Sequence, residues 1–425
     1  AEVAGDIVYH YSKAGLAEKV VEYGLAAGKL AKKRFANEEA IRFSRAVLEA
    51  MGDAEGYREL KLQVMEELAE VLELTGNYDE ALEMLKLRIA GLITEKPVEA
   101  GKSYRMRCEI YLKKGEYEKA LAEAEEGERV LSGVPKAALE LARLWSAQGL
   151  VYERKGEYRH AIECQEKARQ VFEKANAEKE KANALHRIGA CYYYLGDFQK
   201  SLELLFEALA IREKIQDLRG LAGTYNNIGV IYNDKGDYEK ALEFYTKSLE
   251  LREKIGDVWG IAISYNNIGL LYQDKGDYEK ALEFLTKSIE LAKEIGDKST
   301  LCWGLLGMAV CYLELKDFER CRKTLEEAKG ILNELGLKKL ETSFLTVSGK
   351  LLVAEGNLVE GEKPLANAVE IYESIGKFDT DYHKTLFELG KLRRDRELLG
   401  KVLGFFERIG NKVWVGKVRE EIGKL

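Results

Sequence analysis

A 40-residue unit is written twice, almost unchanged, in the middle of this 425-residue chain. Residues 223–257 and 263–297 are identical at 25 of 35 aligned positions. A fixed period of this length is the signature of a solenoid, in which each repeat buries its apolar face against its neighbours. The duplication therefore predicts a repeat architecture, and the rest of the chain is interpreted in its register.

Each copy predicts two helices separated by a turn. In the first copy, apolar residues such as Ile228 and Ile231 recur at helical spacing. Gly236 can adopt the left-handed conformation that ends a helix, and Asp237 is a good cap for the next one. The pair Gly256-Asp257 repeats this pattern. The unit is therefore predicted to be helix, turn, helix, turn.

The first copy also carries the pattern G-x2-Y-x3-G-x-Y-x2-A, formed by Gly229, Tyr232, Gly236, Tyr238 and Ala241. This pattern resembles the tetratricopeptide repeat, in which the small residues let two helices pack closely and the tyrosine fills the space between them. The usual repeat has ~34 residues, and the longer period here resembles the repeats of kinesin light chains and cell-polarity adaptors. The resemblance implies an all-α, right-handed superhelical solenoid of tetratricopeptide-like helix pairs.

The pattern can be followed along most of the chain. The small residues that begin each copy are Ala69, Cys108, Gly149, Gly189, Gly229, Gly269, Ala309 and Gly349. We expect a single continuous helical-repeat domain over residues 1–425, with divergent helices at 1–55, tetratricopeptide repeats at 56–377, and a divergent repeat with a capping helix at 378–425. The last helices are predicted at about 380–393, at 395–409 and from Asn411 onward. With both ends capped, the fragment is expected to be a monomer.

The first 50 residues carry a second resemblance. Four short stretches resemble the segment that follows the ATPase and winged-helix modules in STAND-type signal-transduction ATPases such as the maltose-regulon activator: residues 9–11, 14–15, 26–28 and 36–40. In that family a C-terminal helical-repeat sensor reports a ligand to a nucleotide-binding core. The chain starts without Met inside a helical pattern, so we expect a piece of a longer protein whose ATPase core, if any, lies outside it.

Sequence motifs for catalysis are missing. Gly101-Lys102-Ser103 resembles the end of a phosphate loop, but Lys96 stands where the first glycine is required and no strand precedes it. The four histidines are too scattered for a metal site, and no nucleophile elbow or metalloprotease helix occurs. We expect no enzymatic activity, no catalytic residues, no cofactor and no metal.

Composition narrows the partners. The formal net charge is −7 and acidic and basic residues are interleaved, which predicts no nucleic-acid-binding surface. The sequence also contains no apolar run long enough to cross a membrane. The six cysteines form no C-x2-C pair and several occupy small-residue positions, which predicts buried free thiols in a reducing, cytoplasmic compartment. Low Gln content beside abundant Glu and Lys resembles thermophile composition.

The concave groove is the predicted binding surface. In tetratricopeptide arrays the first helix of each repeat lines this groove, and its inward positions here hold amides flanked by aromatic rings, which is typical of a ligand site. The predicted ligand-binding residues are Arg143, Asn183, His186, Arg187, Tyr193, Tyr194, Asn226, Asn227, Asn233, Asn266, Asn267, Gln273 and Trp303. Asp234 and Asp274 occupy further inward positions.

The adjacent asparagine pairs leave two interpretations open. Asn costs several tenths of a kcal/mol relative to Ala inside a helix, so these pairs need a reason. One Asn of each pair could join neighbouring repeats by a hydrogen bond, or Asn227 and Asn267 could hold the backbone of an extended peptide, as the matching Asn does in the kinesin light chains that the repeats resemble. Upstream, Lys102, Arg105 and Arg154 join the predicted arginines to form either a site for an anionic group or ordinary surface charge.

Two functions are compatible with these observations. The first is the sensor domain of a STAND-type ATPase, which binds a peptide, a protein or a small molecule in its groove and restrains the ATPase core. The second is a free-standing scaffold that binds an extended partner peptide. A phosphate loop and a winged helix encoded upstream of Ala1 would distinguish the first from the second.

Overall fold

The computed structural model describes residues 2–425, with side chains from residue 5 onward. Within the described residues the regular structure is entirely helical, which confirms the predicted all-α solenoid of helix pairs. The chain divides into two compact units that meet between Asn176 and Ala177 in the sequence. Each unit is described by itself, and the single continuous domain expected from the sequence stays a prediction.

In residues 2–176, the described part of the first unit, there are nine α-helices and a short 3-10 helix at Glu55–Tyr57. Its helices are α1 (Glu2–Lys13), α2 (Ala17–Lys33), α3 (Asn37–Met51), α4 (Arg58–Leu74), α5 (Tyr78–Leu92), α6 (Pro97–Lys113), α7 (Tyr117–Leu131), α8 (Ala138–Lys155) and α9 (Tyr158–Lys174). Gly101, Lys102 and Ser103 lie inside α6, so they form a helix rather than a phosphate loop.

The second unit holds the duplicated repeats and the C-terminal helices. Its helices are α10 (Glu178–Tyr194), α11 (Phe198–Lys214), α12 (Leu218–Asp234), α13 (Tyr238–Ile255), α14 (Val258–Lys275), α15 (Tyr278–Ile295), α16 (Lys298–Glu314), α17 (Phe318–Leu335), α18 (Lys338–Ala354), α19 (Leu358–Ser374), α20 (Thr380–Arg393), α21 (Arg396–Ile409) and α22 (Lys412–Gly423). The duplicated copies correspond to α12–α13 and α14–α15.

The turns form where the sequence predicts them. Gly236 adopts φ +75°, a left-handed conformation that costs Gly little. Asp237 then caps α13, because its Oδ1 accepts the backbone N–H of Lys240 at 3.3 Å. The next copy repeats the arrangement, with Asp277 capping α15. These local signals fix the length of each helix and therefore the register of its inner face.

Glycines at the start of the repeat pattern bring the paired helices together. A Cβ atom on Gly229 would lie 2.6 Å from Cδ1 of Tyr245, and one on Gly269 would lie 2.7 Å from Cγ of Leu285. Both distances are shorter than real carbon contacts. The glycines are therefore required by close packing between the two helices of one repeat, as the resemblance to tetratricopeptide repeats implies.

A buried arginine joins successive repeats. Arg252 at the end of α13 is 6% exposed, and its Nη1 donates to the backbone oxygen of Gly260 and, at 3.0 Å, to Oγ of Ser264 on α14. Arg212 makes the equivalent bond to the backbone oxygen of Gly220, at 2.8 Å. Each guanidinium donates to polar groups of the next helix and so joins two successive repeats.

The C-terminal helices match their predicted bounds and pack against earlier repeats of the same unit. Phe405 and Phe406 of α21 share one apolar core with Phe198 of α11 and Ile228 of α12. Asn411 caps α22 and also donates its Nδ2 to the backbone oxygen of Asp234, at 2.8 Å. The sequence predicts a cap that ends the array; in the structure this cap also closes over the repeats that begin the second unit.

Within the described residues, no helix is long and apolar enough to cross a membrane. All six cysteines are free and buried, which confirms the predicted thiols. Burial raises the pKa of Cys108 to about 12 and that of Cys164 to about 11, so these thiols remain protonated and unreactive near neutral pH.

Candidate ligand-binding cavity

A cavity of about 520 Å³ lies within the second unit, and we call it the central cavity. Helices α10 to α14 and α16 supply most of the walls, and Lys339 of α18 with Asp379, Thr380, Asp381 and Lys384 at the start of α20 supplies the others. Its volume is in the range of small-ligand sites in proteins. The predicted residues that line it are Tyr193, Tyr194, Asn227, Asn233, Asn266, Asn267, Gln273 and Trp303.

Helical periodicity brings these residues to one face. On α14, Asn266, Leu270 and Gln273 are spaced at i, i+4 and i+7, so they follow one stripe of the helix. On α12, Asn227, Val230 and Asp234 form the matching stripe. The inner faces of consecutive repeats therefore present similar groups side by side.

Charged residues of α18 and α20 form the other wall. Lys384 donates to Oδ1 of Asp274 at 2.8 Å. Lys339 lies 3.9 Å from carboxylate oxygens of both Asp379 and Asp381. Although burial opposes it, the charges of these two carboxylates raise the pKa of Lys339. Both lysines are therefore protonated at neutral pH and hold α18, α20 and α14 around the cavity.

Asp234 is a buried carboxyl group of the cavity with a raised pKa. It is 9% exposed, and Tyr193 donates its hydroxyl to Oδ2 at 2.8 Å. Burial raises the pKa of Asp234 to about 7, and the charge of Asp381 adds to the effect, while Lys384 and the Tyr193 hydroxyl oppose it. Asp234 therefore exchanges its proton near neutral pH.

The asparagine pairs make hydrogen bonds between repeats. Asn267 donates its Nδ2 to Oδ1 of Asn226 at 2.9 Å, across 41 residues of sequence. One repeat earlier, the side-chain amide of Asn227 contacts Nε2 of His186 at 3.1 Å, again across 41 residues. These contacts provide the repeat-joining bonds of the first interpretation, and Asn227 and Asn267 line the cavity as well.

Three side-chain oxygens in the cavity walls lack a hydrogen bond, and one of them is Oγ1 of Thr380. Oδ1 of Asn266 and Oδ1 of Asn233 have no partner among the described residues. Asn266 is 7% exposed, and Asn233 uses its Nδ2 to donate to Oδ2 of Asp274 at 2.9 Å. A buried acceptor without a donor costs about 1–3 kcal/mol, so each amide gains if a donor enters the cavity.

The other five predicted residues do not line the cavity. Asn183 and His186 bind Arg212: Nη2 donates to Oδ1 of Asn183 at 2.7 Å, and Nη1 lies 3.3 Å from Nδ1 of His186. Burial lowers the pKa of His186 to about 3, with Arg212 and Arg187 adding to the effect. Asn226 is the buried partner of Asn267. Arg187 is on α10 outside the lining.

Arg143 belongs to the first unit. It lies on α8, where its Nη1 is 3.4 Å from a carboxylate oxygen of Glu140. The neighbouring predicted cations are also paired, since Lys102 contacts Glu66 and Arg105 contacts Glu140 at 2.7 Å. These ion pairs favour the interpretation of the upstream basic residues as ordinary surface charge.

Among the cavity residues outside the predicted set are four charged ones from α18 and the start of α20: Lys339, Asp379, Asp381 and Lys384. Lys339 lies on α18, in a repeat that contains none of the predicted groove residues. The other three lie in or next to α20. The sequence carries one signal for the latter, a run of charged residues at the start of a predicted helix that occupies a capping position. That signal points to a cavity only once α20 is known to face α12 and α14.

A second, wider chamber of about 1310 Å³ adjoins the central cavity. The two share Gln273, Asp274, Trp303, Asp381 and Lys384 among their lining residues. By exposed area its remaining walls are mainly apolar; they come chiefly from α16, α18, α20 and α22 and also include five lysines and two glutamates. The Lys384–Asp274 ion pair therefore stands at the junction of a polar cavity and an apolar chamber.

In the part of the chain that the structure describes, no group of three or more His, Cys, Asp or Glu residues is placed to hold a metal ion.

Comparison with known proteins agrees with this architecture. Residues 140–214 and 220–294 match the family model described as Tetratricopeptide repeat. Both stretches are therefore similar to tetratricopeptide repeats. Among curated proteins, no sequence matches the chain.

Solved structures with tetratricopeptide-like folds cover most of the chain. A Rap protein complexed with competence and sporulation factor has a TM-score of 0.55 at 16% identity, over 80% of this chain and 98% of that one. The apo form of the quorum sensor NprR from B. thuringiensis has a TM-score of 0.54 at 17% identity, over 88% and 99%. A STAND protein with a tetratricopeptide repeat sensor from Pyrococcus horikoshii has a TM-score of 0.54 at 19% identity, over 84% of this chain and 53% of that one. At these identities the likeness shows the fold alone.

Proposed function

We propose that this chain is a ligand-binding sensor or regulatory domain, and that the central cavity is its binding site. The observation that carries the proposal is the construction of the cavity. The inner faces of four repeat helices present amides and carboxyl groups, and α20 encloses them. Enclosed polar groups of this kind bind a ligand that supplies complementary hydrogen bonds. A peptide is the ligand class we favour, since solved proteins of this fold include a Rap protein complexed with competence and sporulation factor and the quorum sensor NprR.

The parent protein is proposed to be a STAND-type ATPase. The pattern of residues 9–11, 14–15, 26–28 and 36–40 supports this proposal, as does the similar fold of a STAND protein with a tetratricopeptide repeat sensor. In such a protein the empty sensor restrains the ATPase core and the ligand releases it. A cytoplasmic location follows from this proposal.

A free-standing peptide-binding scaffold is the second candidate. The observation that favours it is the lining of the cavity by Asn227 and Asn267, side by side on α12 and α14. Two amides spaced along a solenoid match the repeating backbone groups of an extended peptide. This candidate shares the binding site of the first and differs in having no ATPase attached.

Two experiments test these statements separately. The genomic sequence upstream of the codon for Ala1 should encode a phosphate loop and a winged helix; their absence would exclude the STAND proposal and leave the scaffold.

Thermal-shift screening against peptide fractions of a cell extract should identify a fraction that raises the melting temperature. A cavity-filling variant, Ile263→Trp, should abolish that shift, and an equal shift in the variant would exclude the central cavity as the site.

A further inference from the structure

The charges of the central cavity are unbalanced. Five carboxyl groups and two ammonium groups line it: Asp234, Asp274, Asp297, Asp379 and Asp381 against Lys339 and Lys384. Burial raises the pKa of Asp381 as well as that of Asp234, and the neighbouring charge of Asp379 raises the pKa of Asp381 further. Protons therefore compensate part of the negative charge when the cavity is empty.

The groups packed around Asp234 offer no additional cation besides Lys384. Its other electrostatic neighbours are Tyr193 of α10, Tyr238 and Tyr245 of α13, and Asp381 of α20. Burial raises the pKa of all three tyrosines, and the negative charge of Asp234 raises each of these pKa values further. The three tyrosines are neutral near pH 7. A cation that entered the cavity beside Asp234 would therefore meet carboxylates, and the tyrosines would add no positive charge to repel it.

A second observation, independent of charge, also indicates a hydrogen-bond donor. Asn266 is more than nine-tenths buried, lines the cavity, and leaves its Oδ1 without a hydrogen bond. Ammonium and guanidinium groups donate several hydrogen bonds and accept none. Such a group can donate to an amide oxygen of this kind and to a carboxylate alike. Since the described carboxylates are not arranged to hold a metal ion, a molecular cation fits the site best.

We propose that the central cavity binds the cationic group of a peptide, an ammonium or a guanidinium, and that the adjoining apolar chamber takes a neighbouring hydrophobic side chain. This inference rests on the proposed function, and it specifies the class of peptide. The Lys384–Asp274 pair marks the point where the bound peptide passes from polar to apolar surroundings. In the apolar chamber, Val310, Phe387 and Trp414 are among the residues that face the side chain.

Four pools of synthetic pentapeptides with randomised apolar positions test the inference. The first pool is acetylated and contains one Lys or Arg, the second has a free amino terminus and no Lys or Arg, the third is acetylated and contains one Asp or Glu, and the fourth is acetylated and uncharged. Binding to the whole chain is measured by thermal shift and then by calorimetry. We expect the first or the second pool to bind at least 10-fold more tightly than the third and fourth, and the preferred pool identifies the source of the cation.

Variants locate the cation. Asp381→Asn and Asp234→Asn, checked for folding by circular dichroism, should each weaken binding of the preferred pool about 10-fold or more. Glu397→Gln on α21, whose side chain is 81% exposed, should leave binding unchanged.

Binding should also release protons, because a cation favours the ionised carboxylates. The heat of binding at pH 7 should therefore depend on the ionisation enthalpy of the buffer.

The possible failures are distinct. If the third or fourth pool binds best and Ile263→Trp abolishes that binding, the cavity is a peptide site and the cationic specificity is wrong. If the cationic pool binds but Asp381→Asn, Asp234→Asn and the wild type bind it equally, the cation lies elsewhere and the inference is also wrong. If no pool binds, both the inference and the peptide-binding function fall.

Discussion

Asn267 donates a 2.9 Å hydrogen bond to the side-chain oxygen of Asn226, which precedes it by 41 residues and lies on the adjacent inner helix. The same amide lines the central cavity. One side chain thus joins two repeats and contributes to the candidate binding surface. The two interpretations of the asparagine pairs are therefore compatible, and they differ in what a substitution would change.

Replacing Asn267 by Ala should lower the melting temperature. The change leaves Oδ1 of Asn226 without its donor, which costs about 1 kcal/mol or more, whereas the better helix propensity of Ala returns only several tenths of a kcal/mol. Thermal denaturation of Asn267→Ala beside the wild type checks this. Stability equal to or above that of the wild type would mean that the bond contributes little and that the amide is retained for a ligand.

Replacing Gly229 by Leu should destabilise the second unit by roughly 1–3 kcal/mol or more, because the new side chain overpacks the contact with Tyr245. Gly223 on the same helix provides a matched control, since a Cβ atom there meets nothing within 4 Å. Gly223→Ala should stabilise the protein by about 0.5–1 kcal/mol. Both are measured by urea denaturation. Unchanged stability in Gly229→Leu would show that this face of α12 does not pack as described.

Asp234 should make the stability depend on pH in a defined direction. Its pKa in the folded protein, about 7, lies above the unfolded value of ~3.9, so the native state holds the proton more tightly. The stability that this carboxyl contributes is complete below about pH 4 and is lost as the pH rises to about 7. In Asp234→Asn that loss is absent. The melting temperature of the variant, relative to the wild type, should rise between pH 5 and pH 8.

The buried histidines do not obscure this result. Burial lowers the pKa of His186 to about 3 and that of His383 to about 4, which reduces stability at acidic pH in the wild type and the variant alike. Their effects cancel in the difference between the two proteins. Glu397→Gln serves as the control and should differ from the wild type by a constant amount. A constant difference for Asp234→Asn would show that Asp234 titrates normally.

Asn411 should stabilise the closure of the second unit in two separable ways. Its Oδ1 accepts the backbone N–H of Trp414 at 3.0 Å, and its Nδ2 donates to the backbone oxygen of Asp234. Asn411→Ser keeps a good helix cap but cannot reach Asp234, whereas Asn411→Ala loses both. We expect both to melt below the wild type, with Ala lower by about a further 1 kcal/mol. A Ser variant as stable as the wild type would show that the contact with Asp234 is not needed to hold α22.

The sequence was sufficient for the parts of the fold that depend on local signals. Asn411 was predicted to begin the last helix, and Gly236 was predicted to end α12, because caps and left-handed glycines act within a few residues. The close packing at Gly229 and Gly269 also followed from the repeat pattern. Eight of the predicted groove residues line the cavity, and their role in binding stays a prediction.

The wall formed by α20 could not be predicted in the same way. Lys384 and Asp274 are 110 residues apart in sequence, and Asn411 and Asp234 are 177 apart. The period of the repeats does not specify which helices meet after several repeats. For the same reason, Asn183 and His186 were interpreted as groove residues, whereas in the structure they bind the buried Arg212. These long-range contacts add α20 as a further wall to the groove of the repeats, which makes it a partly open cavity lined by several carboxyl groups.

Hydrogen–deuterium exchange tests the central claim most directly, namely that a ligand binds between the inner repeat helices and α20. The chain is compared with and without the peptide fraction or pool that raises its melting temperature most. We predict slower exchange in residues 225–234, 259–274 and 379–385 together, because these segments supply most of the cavity lining. Protection confined to residues 2–176, or protection that leaves 379–385 unchanged, would contradict the account.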